Sequence, residues 1–254
     1  MLSEKNMATN HLLLIIFISF LGPAIGSFLG VVKKYSEKQI GYMLSFAAGV
    51  MVYVSLFNLI PESLRNDTVL LAGAGIGLGM IFMHLMNFLV PHYHHSKGSE
   101  LSKREKIKRL AIFVFIGIFI HNLPEGIAIG VGALSDLKFS FVIAMAIAFH
   151  DIPEAICIAA PLYYANGNKI KSFFITTITV IPTIVGFLVT YYFFNNLSSR
   201  LLGLTIGFTA GVMLYMSFFE LLPSVFNGQG KRPIKIMYFF VGCLFVFILG
   251  RFFI

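Results

Sequence analysis

Eight apolar runs succeed one another along the 254-residue chain, at about 11–32, 40–61, 69–90, 110–133, 139–164, 173–194, 201–223 and 236–254. Apart from Arg251 near the last end, they contain no Lys or Arg. A run of about 20 apolar residues is long enough, as a helix, to cross a hydrocarbon core. The runs lack the ~10-residue alternation of barrel strands, so they predict helices that satisfy their own backbone in lipid. The linkers are short, and only 91–109 is longer. The pattern therefore predicts an all-α integral membrane protein with one transmembrane domain over 1–254. Glu4 and Lys5 precede the first run, and no small-x-small cleavage pattern follows at a sensible distance, so that run reads as a retained helix.

Composition agrees. Hydrophobic residues make up 57% of the chain and charged residues 12%, with a mean hydropathy of +0.86. Such a chain exposes too much apolar surface to be a soluble monomeric globule.

A net charge of +8 raises the question of a nucleic-acid partner, and its distribution answers it. The 19 Lys and Arg residues fall in linkers or near termini. Alternate linkers hold fourteen on one side (Lys33, Lys34, Lys38, Lys97, Lys103, Arg104, Lys106, Lys108, Arg109, Lys169, Lys171, Lys231, Arg232, Lys235) and five on the other (Lys5, Arg65, Lys138, Arg200, Arg251). Positive residues favour the cytoplasmic side, which predicts an even number of spans, both termini outside and a cytoplasmic 91–109 loop. The charge thus reports topology and attraction to anionic lipid, with no nucleic acid.

An internal repeat refines the architecture. "GYMLSFAAGVMVYVSLFNLIP" at 41–61 and "GLTIGFTAGVMLYMSFFELLP" at 203–223 share 11 of 21 residues at an offset of 162. They occupy the second and seventh spans, which cross in opposite directions. A second pair, HNLPE at 121–125 and HDIPE at 150–154, lies on the fourth and fifth spans. The chain therefore reads as a 3+2+3 inverted repeat, an arrangement that places a transport site near midplane. Small residues at four-residue spacing (Gly22, Gly26, Gly30; Gly41, Ser45, Gly49; Gly203, Gly207, Gly211) predict close helix packing. "GAGIGLG" at 73–79 departs from the dinucleotide fingerprint at Leu78 and reads as packing too. Cys157 and Cys243 fall inside spans, where packing is their expected role.

The chemistry concentrates in "FIHNLPEGIAIG" (119–130) and "FHDIPEAICIA" (149–159). On a helix, His121, Asn122 and Glu125 gather on one face, and so do His150, Asp151 and Glu154. Pro124 and Pro153 each remove a backbone donor and are expected to loosen the preceding turn. Two imidazoles, three carboxylates and an amide thus meet at membrane depth. An ionised group there costs about 2.5–3.5 kcal/mol on the insertion scale, and no Lys or Arg lies inside the runs to offset it. These carboxylates must therefore be protonated, hydrated or bound to a cation. Imidazole nitrogen with carboxylate oxygen suits zinc and also accepts iron(II), manganese, cobalt or cadmium, whereas magnesium and calcium prefer all-oxygen sites.

Other polar positions carry less. Asn58, Glu62 and Glu220, of which Asn58 and Glu220 are repeat partners, are candidate pathway residues. His92, His94 and His95 in "PHYHHSKGSE" are candidates for transient metal capture in the long loop. His84 and His11 read as packed or interhelical hydrogen-bonding residues.

HNLPEG on a fourth span and HDIPEA on a fifth, within eight spans and with a His-bearing loop after the third, resemble the ZIP family of divalent metal transporters. The AGVM segment of the second span and the ELLP ending of the seventh are similar to its short bacterial branch. The resemblance covers essentially the whole chain. It implies a secondary transporter for uptake into the cytoplasm through a core of spans two, four, five and seven. By motif position His121, Glu125, His150 and Glu154 would hold the principal metal, and Asn122 and Asp151 would face a neighbouring site sharing both glutamates. Ala155 replaces the final glycine of the fifth-span motif. A sixth-span glutamate that the resemblance implies for the neighbouring site aligns with Pro182.

The expected activity is transport without covalent chemistry, with zinc or another divalent ion as substrate and no cofactor. The expected setting is a bacterial inner membrane, and the expected partners are metal ions and lipid, with a homodimer left open. Two other classes remain as alternatives. An intramembrane metalloprotease of zincin type needs H-E-x-x-H, and the chain has no His-Glu dipeptide. A haem protein using His121 and His150 as axial ligands is disfavoured by the surplus of carboxylates.

Overall fold

A computed structural model describes residues 2–66, 68–89, 102–135, 137–193 and 198–253. His92, His94 and His95 lie outside the described residues. Among those described there are helices and short connections and no strand. Among the described residues, eight helices are long and apolar enough to cross a membrane: His11–Val31, Glu37–Arg65, Val69–Met86, Arg104–Ala133, Ser140–Asn166, Lys169–Phe193, Ser199–Asn227 and Arg232–Arg251.

Several spans outrun their apolar cores because polar caps carry the helix into the interface. Ser36 and Gln39 form a reciprocal capping box at the start of the second, and Asn168 and Ser198 cap the sixth and seventh. Lys106, Lys108 and Arg109 consequently lie in the opening turns of a helix rather than in a linker. Lys235 departs furthest from expectation. It is 1% exposed, and its Nζ donates to the carbonyls of Val225 (2.6 Å) and Gly228 (2.8 Å) at the end of the seventh span. The last carbonyls of a helix lack intrahelical partners, and a cation there also complements the helix dipole.

Three irregularities were not evident in the hydrophobic pattern. The second and seventh spans pass through π-helical segments, Val54–Leu59 and Met216–Leu221, at the repeat offset of 162. Ile60 and Leu222 donate to the carbonyls five residues back, Ser55 and Ser217, just before Pro61 and Pro223. That shift of register precedes a residue that cannot donate, so each helix continues past its proline. The sixth span is broken into Lys169–Thr177 and Val180–Phe193. In contrast, the fourth and fifth spans run as single helices through Pro124 and Pro153, against the expected loosening. Packed between neighbours in a lipid-filled setting, those turns keep their remaining backbone bonds.

The spans pack as two bundles. Span one lies along five, span four along five and six, and these form the first. Span three lies along seven and span eight along two, and these form the second. Glycines allow the contacts: a Cβ on Gly22 or Gly26 would overlap the fifth-span carbonyls of Ala148 or Ile152, and one on Gly79 would overlap the Phe208 carbonyl. Between the bundles a buried apolar core joins Ile40, Leu44, Met51 and Val54 to Phe113, Val114 and Ile118, to Cys157, Ile158 and Leu162, and to Val212, Met213 and Met216. These residues lie along spans two, four, five and seven from the ends next to the Lys- and Arg-rich connections to about mid-span. A second core, with Leu12, Ile15, Ile129, Ile147 and Phe187, lies in the opposite half and within the first bundle alone.

Candidate metal centre

The helical period turns both sequence motifs toward the contact between spans four and five. His121 Nε2 lies 3.1 Å from Glu154 Oε2, and His150 Nε2 lies 3.1 Å from Glu125 Oε1. Each imidazole of one motif thus meets the glutamate of the other. Within a span, His121 Nε2 is 3.9 Å from Glu125 Oε1, and His150 Nε2 is 3.8 Å from Asp151 Oδ1. All six residues are inside the protein: His121, Asn122, Glu125, Asp151 and Glu154 are at most 5% exposed, while the His150 side chain retains 12%.

This burial leaves polar atoms unserved. His121 Nδ1, Asn122 Oδ1, Glu125 Oε2, both Asp151 oxygens and Glu154 Oε1 have no hydrogen-bond partner. Buried unpaired acceptors are costly, and carboxylates most of all, so the arrangement calls for a cation. The spacing suits one. Four ligands at ~2.0–2.1 Å around a tetrahedral zinc lie about 3.3 Å from one another, close to the two 3.1 Å edges already present. Donor atoms of Glu125, His150 and Asp151 also lie within 4.8 Å of one another. Asp151 therefore stands beside one of the two reciprocal pairs, the one that contains Glu125.

Asn122 is held differently. Its Nδ2 donates to the Thr179 carbonyl at 2.7 Å, in the break of the sixth span. Pro182 explains the break: it has no N–H for the Ile178 carbonyl, which accepts from Ile181 N at 3.0 Å instead. Thr179 was not a candidate on sequence. The available signal was a proline inside an otherwise helical run, preceded by three threonines.

The remaining candidates lie elsewhere. Asn58 and Glu220 sit, partly buried, in the two π segments. Glu62 is 3.2 Å from Arg65 in an exposed pair, the kind of contact worth at most about 1 kcal/mol. His84 Nδ1 meets the Tyr215 hydroxyl at 3.1 Å across spans three and seven, in keeping with the interhelical role expected of it. Cys157 and Cys243 are free thiols, the latter donating to the Gly49 carbonyl at 3.3 Å.

Comparison with known proteins gives a concordant picture. A family model described as ZIP zinc transporter matches residues 90–250. The chain is 35% identical over 211 residues to proteins called zinc transporter ZupT from Salmonella paratyphi A, Salmonella heidelberg and Salmonella newport. Each match covers 78% of this chain and 80% of the relative. Neither a protease nor a haem protein emerges from these matches.

Proposed function

The chain belongs to the ZIP family of zinc transporters, and on that premise we propose that it carries zinc, or a similar divalent transition metal, across a bacterial inner membrane into the cytoplasm. It is an integral membrane transporter and not an enzyme. The observation that carries the reading is the reciprocal pair of His–Glu contacts at 3.1 Å, flanked by buried carboxylate oxygens without partners. His121, Glu125, His150 and Glu154 hold the ion in this reading, borderline nitrogen and oxygen donors selecting zinc, iron(II), manganese, cobalt or cadmium over magnesium and calcium.

The two bundles supply a means of alternating access. The liganding helices belong to the first, and the apolar core between the bundles closes the half facing the basic connections. That half is cytoplasmic by the charge bias, so in this reading the ion enters from outside. Sliding or rocking of one bundle on the other, with opening of that core, releases it inward. The 3+2+3 inverted repeat and external termini belong to the same proposal. Exchanging spans one with six, two with seven, three with eight and four with five leaves the main packing pairs unchanged, and it also superposes the two π segments in sequence.

Uptake of radioactive zinc into liposomes holding the purified protein tests the assignment. His121→Ala and Glu154→Ala should each abolish flux while membrane insertion stays intact. Wild-type flux in both variants refutes it.

A further inference from the structure

Toward the basic connections, the apolar core between the bundles ends in a polar contact. The Tyr164 hydroxyl, near the end of span five, donates to Glu37 Oε1, in the first turn of span two, at 2.7 Å. Span five belongs to the first bundle and span two to the second, so this bond crosses between them. On span two the core residues Ile40 and Leu44 follow Glu37, and on span five Cys157, Ile158 and Leu162 precede Tyr164. Each partner is also held from its own side. The capping box of Ser36 and Gln39 fixes the turn that carries Glu37, and a carboxylate there complements the helix dipole. The turn that carries Tyr164 is pinned to the start of span six, where Asn166 Nδ2 donates to Ser172 Oγ at 3.1 Å and Asn166 Oδ1 accepts from Asn168 N at 2.7 Å. Pro161, three residues before Tyr164, has no N–H for the Cys157 carbonyl, which makes this end of span five easier to bend than an unbroken helix.

We propose that Tyr164 and Glu37 form the inner latch of the transporter: positioning residues whose bond holds the cytoplasmic side closed and breaks when the ion is released. The proposal rests on the reading of two bundles that part on that side during transport. Apolar surfaces attract without direction and slide past one another at little cost, so the core alone favours no single register strongly. A hydrogen bond does, because it weakens steeply with distance and angle and is gone after a shift of a few ångströms. An O–H donor on a carboxylate is among the stronger kinds, and at this half-buried position it weighs roughly tenfold in an equilibrium between two arrangements. That is enough to set the resting balance and small enough for a bound ion to overcome. The chain also carries a reporter of the opening. Cys157, 1% exposed and a free thiol, lies two turns before Tyr164 on the same helix and within the core that the latch closes.

The test is the rate at which a membrane-impermeant thiol reagent labels Cys157 in inside-out vesicles without added metal, in a Cys243→Ala background that leaves one thiol. Tyr164→Phe, which keeps the ring and removes only the hydroxyl, should raise that rate roughly tenfold, and Glu37→Ala should do the same. Combining the two should add nothing further, because either change already removes the bond. Glu37→Gln keeps an acceptor oxygen and should stay closer to the wild type than Glu37→Ala. In zinc uptake, Tyr164→Phe should raise KM severalfold without lowering kcat, since a smaller share of the protein then faces outward to receive the ion. Unchanged labelling in both single variants, multiplied effects in the double variant, or a fall in kcat at unchanged KM overturns the inference. Absence of zinc flux in the wild type refutes the transport assignment instead, and the labelling series is read without it.

Discussion

Replacing Pro182 by glutamate should convert a one-dication site into a two-dication site. Pro182 is buried and lies one turn beyond Thr179, whose carbonyl holds Asn122, and the next residue, Thr183, packs against Gly126 of the fourth span. A carboxylate at 182 therefore arrives among the donors already described. Ions sharing donors that lie within 4.8 Å of one another would sit about 4 Å apart. At an effective dielectric near 20, two dications at that distance repel by four unit charge pairs of ~4 kcal/mol each, or about 16 kcal/mol before the ligands act. A fourth carboxylate ~4 Å from both ions adds attraction of the same size and brings the ligand charge to the four needed. Desolvating the new carboxylate takes back several kcal/mol, so the second ion should bind, and more weakly than the first. Elemental analysis with calorimetric zinc titration should give one zinc per wild-type chain and two unequal sites in Pro182→Glu. Two equivalent high-affinity zinc ions in the wild type, or a single one in a correctly folded variant, refutes the reasoning.

Two further outcomes test the architecture. Gly79→Ala should lower the melting temperature in detergent, because its Cβ would overlap the Phe208 carbonyl and overpacking of this kind costs about 1–3 kcal/mol, while Gly77→Ala, with nothing within 4 Å, should leave it unchanged; equal effects would contradict the packing of spans three and seven. For topology, an impermeant thiol reagent applied to intact cells should label a cysteine at Ser199 and spare one at Gln229, and the reverse pattern would invert the proposed orientation.

Much of this protein is legible without coordinates because lipid simplifies the problem. A backbone in hydrocarbon must satisfy itself, so run length and charge suffice to locate eight helices, and 11 identities in 21 residues suffice to pair the second with the seventh. The donors were legible for a related reason: histidine and carboxylates without nearby cations are too costly at membrane depth to be incidental, and helical spacing alone puts each trio on one face. Tertiary structure decided what depends on distances between helices. It matched His121 to Glu154 and His150 to Glu125, placed Asp151 beside the second pair, and buried Lys235 against carbonyls ten and seven residues away. It also decided which prolines matter. Pro124 and Pro153 leave their helices whole, whereas Pro182 breaks its span and exposes a carbonyl to Asn122. Each of these prolines removes one backbone donor, and whether the helix then opens depends on how the neighbouring spans pack around that turn, which no local pattern encodes.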